Sequence, residues 1–81
     1  MVSLDVRGCV IRLSRDDAER IRARAAQESG RSARARDLAL VLEWALGSPQ
    51  TVVLRRGEAK EFVRFAREDQ TLAGVAARIA A

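Results

Sequence analysis

The chain contains no histidine and no tyrosine, and only one cysteine. These absences remove much of enzymology. No Ser-His or Cys-His nucleophile pair can be assembled. Histidine and cysteine cannot supply the ligand set of an ordinary zinc site. A lone Cys9 also rules out an internal disulfide framework. It fits a reducing, cytoplasmic setting, where it reads as a small buried hydrophobe within a strand. Proline occurs once, at Pro49, and marks the clearest break in the chain, Gly47-Ser48-Pro49-Gln50. No apolar run is long enough to span a membrane. Asp5 and Arg7 interrupt any leader-like segment near the start. Adjacent acids do occur, Asp16-Asp17 and Glu68-Asp69, but both pairs fall at expected helix ends. Successive helical residues point about 100° apart, so neither pair forms a carboxylate dyad. No glycine-rich phosphate loop is present. The chain is therefore expected to be non-enzymatic and to need no cofactor.

What remains is a single domain of 81 residues, rich in arginine and alanine. A domain this small buries a limited core, and association is the obvious further source of stability. The formal charge is +4, and it is unevenly placed. Residues 1–36 hold nine arginines against five acids, whereas residues 37–81 balance. Such asymmetry points to a polyanionic partner for the first half. A coding bias toward arginine and alanine would give the same composition.

The chain also appears duplicated. Ile11 to Ile21 aligns without gaps on Val52 to Phe62, forty-one positions later. Each copy reads as an apolar strand, a polar corner and a helix. Val2, Leu4 and Val6 alternate with polar residues, as in a strand, and Cys9 to Leu13 continue that pattern. Ser14 is placed to cap a helix over about residues 15–29, with Asp17 completing a capping box. Asp16 stands four residues before Arg20, the spacing of a helical ion pair. Gly30 reads as the helix stop and Ser32 as the next cap. A second helix over about 33–46 has Leu38, Val41, Leu42 and Ala45 on its core face. Leu40 and Trp44 form another apolar stripe beside it.

In the second half, Thr51 to Leu54 reads as a strand. Ala59, Phe62, Val63 and Ala66 line a third helix over about 58–68, with Phe65 at the stripe's edge. Thr71 would cap a last helix whose Leu72, Val75, Ala76 and Ile79 face one way. The expected architecture is α+β. Two β-α-α repeats, about 9–46 and 51–80, join at 47–50, and a small two-stranded sheet packs on four helices.

Strand Val10-Ile11-Arg12-Leu13-Ser14, helix, Gly30-Arg31-Ser32, helix resembles the ribbon-helix-helix family of bacterial repressors and antitoxins. The resemblance covers about residues 9–46. It implies a homodimer whose paired strands lie in the DNA major groove. Arg12 would contact bases, and Arg15, Arg31, Ser32 and Arg34 would serve phosphates. Fusion of two repeats would instead pair strand 10–13 with strand 51–54 inside one chain, setting Arg55 and Arg56 near Arg12. The reading is a cytoplasmic DNA-binding regulator. The alternative is a protein-interaction module in which Leu40, Trp44 and Phe65 dock a partner or a second copy. If Trp44 is fully buried, replacing it by alanine costs about 3–5 kcal/mol. Both halves carry thin apolar stripes, so each should need the other. A fragment of residues 1–47 is expected to show no cooperative thermal transition by circular dichroism.

Overall fold

Alternating apolar residues at the front of the chain form a hairpin. In a computed structural model describing residues 1–80, β1 (Val2–Val6) pairs antiparallel with β2 (Cys9–Leu13). The connection is the two residues Arg7 and Gly8, both with positive φ, at 55° and 81°. That combination matches the twist of adjoining strands. The Asp5 carboxylate accepts the Gly8 N–H at 2.9 Å and closes the turn. Val2 lies opposite Leu13, and Leu4 opposite Ile11. With Val6, these side chains share one buried face, while Ser3, Asp5, Val10 and Arg12 point the other way.

β3 (Val52–Val53) joins the other edge of β1 in parallel, with Leu4 against Val52 and Asp5 against Val53. The sheet therefore has three strands in the order β2-β1-β3. This corrects the expected two-stranded sheet, and with it the expected pairing of strand 10–13 on strand 51–54. β1 stands between them. Its advantage is entropic: closing a two-residue turn costs less than joining segments forty residues apart.

Four helices follow: α1 (Arg15–Gln27), α2 (Ala33–Leu46), α3 (Arg56–Arg67) and α4 (Ala73–Ala80). α1 and α2 pack on each other and cover the apolar face of the hairpin; α3 rests on both, and α4 on α3. Phe62, Phe65, Leu13, Ile21, Leu38 and Leu42 are among the fully buried side chains at the centre. Ser14 and Ser32 cap α1 and α2 as expected, accepting the N–H groups of Asp17 and Ala35. Gly30 is not a left-handed stop, since among the described residues only Arg7 and Gly8 have positive φ. Thr71 lies two residues before α4 and not at its cap position, and Asp69 closes the turn there: its Oδ1 accepts the N–H groups of Thr71 and Leu72.

The halves share the order strand-helix-helix but are not equivalent, so a structural duplication is not borne out. β2 is five residues and antiparallel to β1; β3 is two residues and parallel to it. The serine that caps α1 has its counterpart in Arg55, whose guanidinium cannot accept a backbone N–H.

The three residues expected to dock a partner part company. Trp44 and Leu40 are 69% and 58% exposed. Phe65 is fully buried, which removes it from any such surface. The arginines of two helices explain its burial. The Arg64 and Arg24 guanidinium carbons lie 4.4 and 5.5 Å from the ring centroid and cover it. Urea unfolding should separate the two residues. Phe65→Ala is expected to cost about 3–5 kcal/mol. Trp44→Ala should change stability by less than about 0.5 kcal/mol.

Candidate functional site

Two groups stand out among the fifteen cationic side chains; Arg12, Arg15, Arg31, Arg36, Arg67 and Arg78 belong to neither. One is neutralised along the seam between α1 and α3. Arg20 bridges Asp17 at 2.7 Å and Asp69 at 3.0 Å, rather than the expected Asp16. Arg64 bridges Glu61 at 2.7 Å and Glu28 at 2.9 Å. Arg24 reaches Glu68 at 3.5 Å, and Arg22 pairs with Glu19. The hydrogen bond from Arg20 holds the Asp69 carboxyl below its ordinary range, against the opposing effect of burial. Arg64 does the same to Glu28.

The second population surrounds a groove between α2 and the β3–α3 junction. The groove encloses about 1180 Å³ and is lined by Arg7, Arg34, Arg55, Arg56 and Lys60. Among the described residues, none of these five forms an ion pair. The sheet topology gathers them. β1 and β3 run parallel, so their carboxyl ends emerge on the same side. Arg7 follows β1, and Arg55 and Arg56 follow β3. Lys60 comes one turn after Arg56 on α3, on the same side of that helix.

Arg34 enters from α2. Its Cδ and Cγ lie 3.5 and 3.6 Å from the position a Cβ on Gly57 would take, so the bare glycine lets the arginine stem rest on the first turn of α3. Two acids also line the groove, Asp37 and Glu58. Glu58 is committed to the fold, because its Oε1 accepts the Arg55 N–H at 2.8 Å. The rim is apolar: Leu40, Trp44 and Val53 all line the groove and are exposed.

The residues expected to act together are distributed as follows. Arg34, Leu40 and Trp44 meet at the groove. Arg12 lies on the open face of the sheet, opposite Ser3, whose hydroxyl is 2.9 Å from that of Thr51. Arg15 donates to the Leu46 carbonyl at 2.8 Å and so completes the last turn of α2. Arg31 sits in the exposed turn between α1 and α2, and the Ser32 hydroxyl is used as the α2 cap. Arg55 and Arg56 lie across β1 from β2, which carries Arg12, and so not beside it. The sequence reading missed the groove as a unit, and Arg7 and Lys60 within it. Their common location depends on the parallel pairing of β3 with β1, for which a two-residue strand leaves no periodic signal.

Among the described residues, no three acidic, cysteine or histidine side chains converge as a metal site would require. No helix among them is long and apolar enough to cross a membrane. Comparison of the chain with protein-family models, with curated proteins and with solved structures finds no match to any of them.

The seam sets the pH dependence of stability. Asp69 has a lowered value in the fold, so its stabilising contribution is complete above about pH 4, the unfolded range. It is lost as pH falls through the folded value. Asp69→Asn should therefore lower the melting temperature at pH 7. The difference from the unaltered protein should narrow when both are melted at pH 3.

Proposed function

We propose that this chain is a small non-enzymatic nucleic-acid-binding protein, a regulator or antitoxin-like factor, and that its ligand backbone runs along the α2–α3 groove. The observation that carries this reading is the segregation of charge. The seam arginines are matched by acids, whereas five cations converge on one concave surface with only two acids beside them. Concentrated positive charge without internal partners is suited to phosphates, whose neutralisation releases counterions. Arg34 is retained as a phosphate contact, joined by Arg7, Arg55, Arg56 and Lys60. Arg12, exposed on the open sheet face, remains the candidate for a base contact.

The ribbon-helix-helix resemblance suggests the assembly. β2 is an edge strand, and among the described residues nothing pairs with its outer side. Antiparallel pairing with β2 of a second copy would set two Arg12 side chains on one surface. A second reading rests on the rim: Leu40, Trp44 and Val53 are large exposed apolar residues grouped at one groove. A partner protein or second copy would cover them.

Binding to a mixed duplex library in about 50 mM salt decides between the readings. Arg34→Ala and Arg56→Ala should each weaken binding to all sequences and flatten the plot of log affinity against log salt by about one unit. Arg12→Ala should relax sequence preference. No binding at that salt, together with a dimer mass in light scattering that falls on Leu40→Ala, would favour the protein-interaction reading.

A further inference from the structure

We infer that the groove accepts an unpaired nucleic-acid strand, with the indole of Trp44 as the platform on which a base stacks. This rests on the nucleic-acid reading above and deepens it. Trp44 is the only tryptophan and is 69% exposed, although it lies within a cationic surface rather than on an otherwise neutral one. Leu40 stands one turn before it on α2 and is also exposed, so the two form an apolar shelf beside the cations. A phosphate array alone would have no use for this shelf. A chain that alternates anionic phosphates with flat apolar bases uses both parts.

Strand state follows from access. In a duplex the base faces are stacked on one another, and a tryptophan on a groove rim cannot reach them. In a single strand every base has a free face. The groove, about 1180 Å³, exceeds the range of about 300–1,000 Å³ typical of sites for one drug-sized molecule. It has room for more than a single isolated phosphate. The arrangement also gathers charge along the path, since Arg34 from α2 rests on the first turn of α3 beside the Arg55, Arg56 and Lys60 that follow β3. A backbone lying along these cations would set its bases toward the rim formed by Leu40 and Trp44.

The protein reports on this site directly. With no tyrosine and one tryptophan, its emission comes from Trp44. Titration with an unlabelled oligothymidylate of about 12 nucleotides should quench that emission and saturate. Affinity for the oligonucleotide, measured separately by calorimetry, should fall about tenfold in Trp44→Ala and be largely restored in Trp44→Phe. Duplex affinity should be unchanged by both substitutions. Arg34→Ala should weaken both ligands.

Four outcomes would overturn the inference. Duplex binding without oligothymidylate binding would remove it and leave the nucleic-acid reading intact. Single-strand affinity unaffected by Trp44→Ala would do the same. A blue shift of Trp44 emission that depends on protein concentration alone would give the shelf to a second copy of the chain. If neither duplex nor single strand binds, the nucleic-acid reading falls with it.

Discussion

The parallel register of β3 on β1 is the constraint on which the rest of the structure depends. It consists of little: Leu4 against Val52, Asp5 against Val53, and one further bond from the Leu54 N–H to the Asp5 carbonyl at 2.9 Å. Yet it fixes where the chain enters α3, and hence where the amphipathic face of that helix meets α1 and α2. Val52 and Leu54 are buried, while Val53 between them is exposed, so a slip of one residue would turn two valine- and leucine-sized side chains out of the core. The short strand is therefore held more by what its alternate residues bury than by its own ladder. Asp5 serves it twice, receiving Leu54 through its carbonyl and holding the hairpin turn through its carboxylate.

The same register divides the arginines. Entering where it does, α3 presents Arg64 and its neighbours to α1, and the acids of both helices meet them. Glu28, Glu61, Glu68 and Asp69 are consumed in that seam. Exposed pairs of this kind contribute little each. Their value here is partly steric, since Arg24 and Arg64 also roof Phe65 and let a large aromatic ring be buried in a small domain. At the opposite end of α3 only Asp37 and Glu58 stand among the cations, and Glu58 is held by the Arg55 N–H. Arg55, Arg56 and Lys60 are left with Arg7 and Arg34, and mutual repulsion among them is a cost that an anionic ligand would relieve.

The helices were legible because their signals are local. Ser14 and Ser32 cap as their hydroxyls and spacing suggest, and Ala59, Phe62, Val63 and Ala66 bury the face that a 3.6-residue period assigns them. Local signals failed wherever a distant element decided the outcome. The exposure of Trp44 and the burial of Phe65 depend on which helix faces are covered, and no periodicity on α2 or α3 alone contains that. The apparent duplication misled for the same reason. Ile11–Ile21 and Val52–Phe62 share a pattern of strand and helix, but each strand's partner is β1, which lies outside both copies. Arg34 was found from its helix position, whereas Arg7, on the far side of the sequence from Arg55, joins it only through the fold.

Arg7 carries the connection between fold and site one step further. Its φ of 55° lies in the left-handed region, which a non-glycine residue occupies at a cost of roughly 1 kcal/mol or more. Asparagine or glycine would suit the turn better. The arginine gives the turn no hydrogen bond, since the closure is made by Asp5 and Gly8. What it does supply is a cation at the carboxyl end of β1, beside those that follow β3. The positive φ itself is what the two-residue hairpin requires, and what arginine adds there over asparagine or glycine is its charge. The hairpin thus contributes to both fold and groove: its apolar face anchors the helices, and its corner adds a cation to the groove lining.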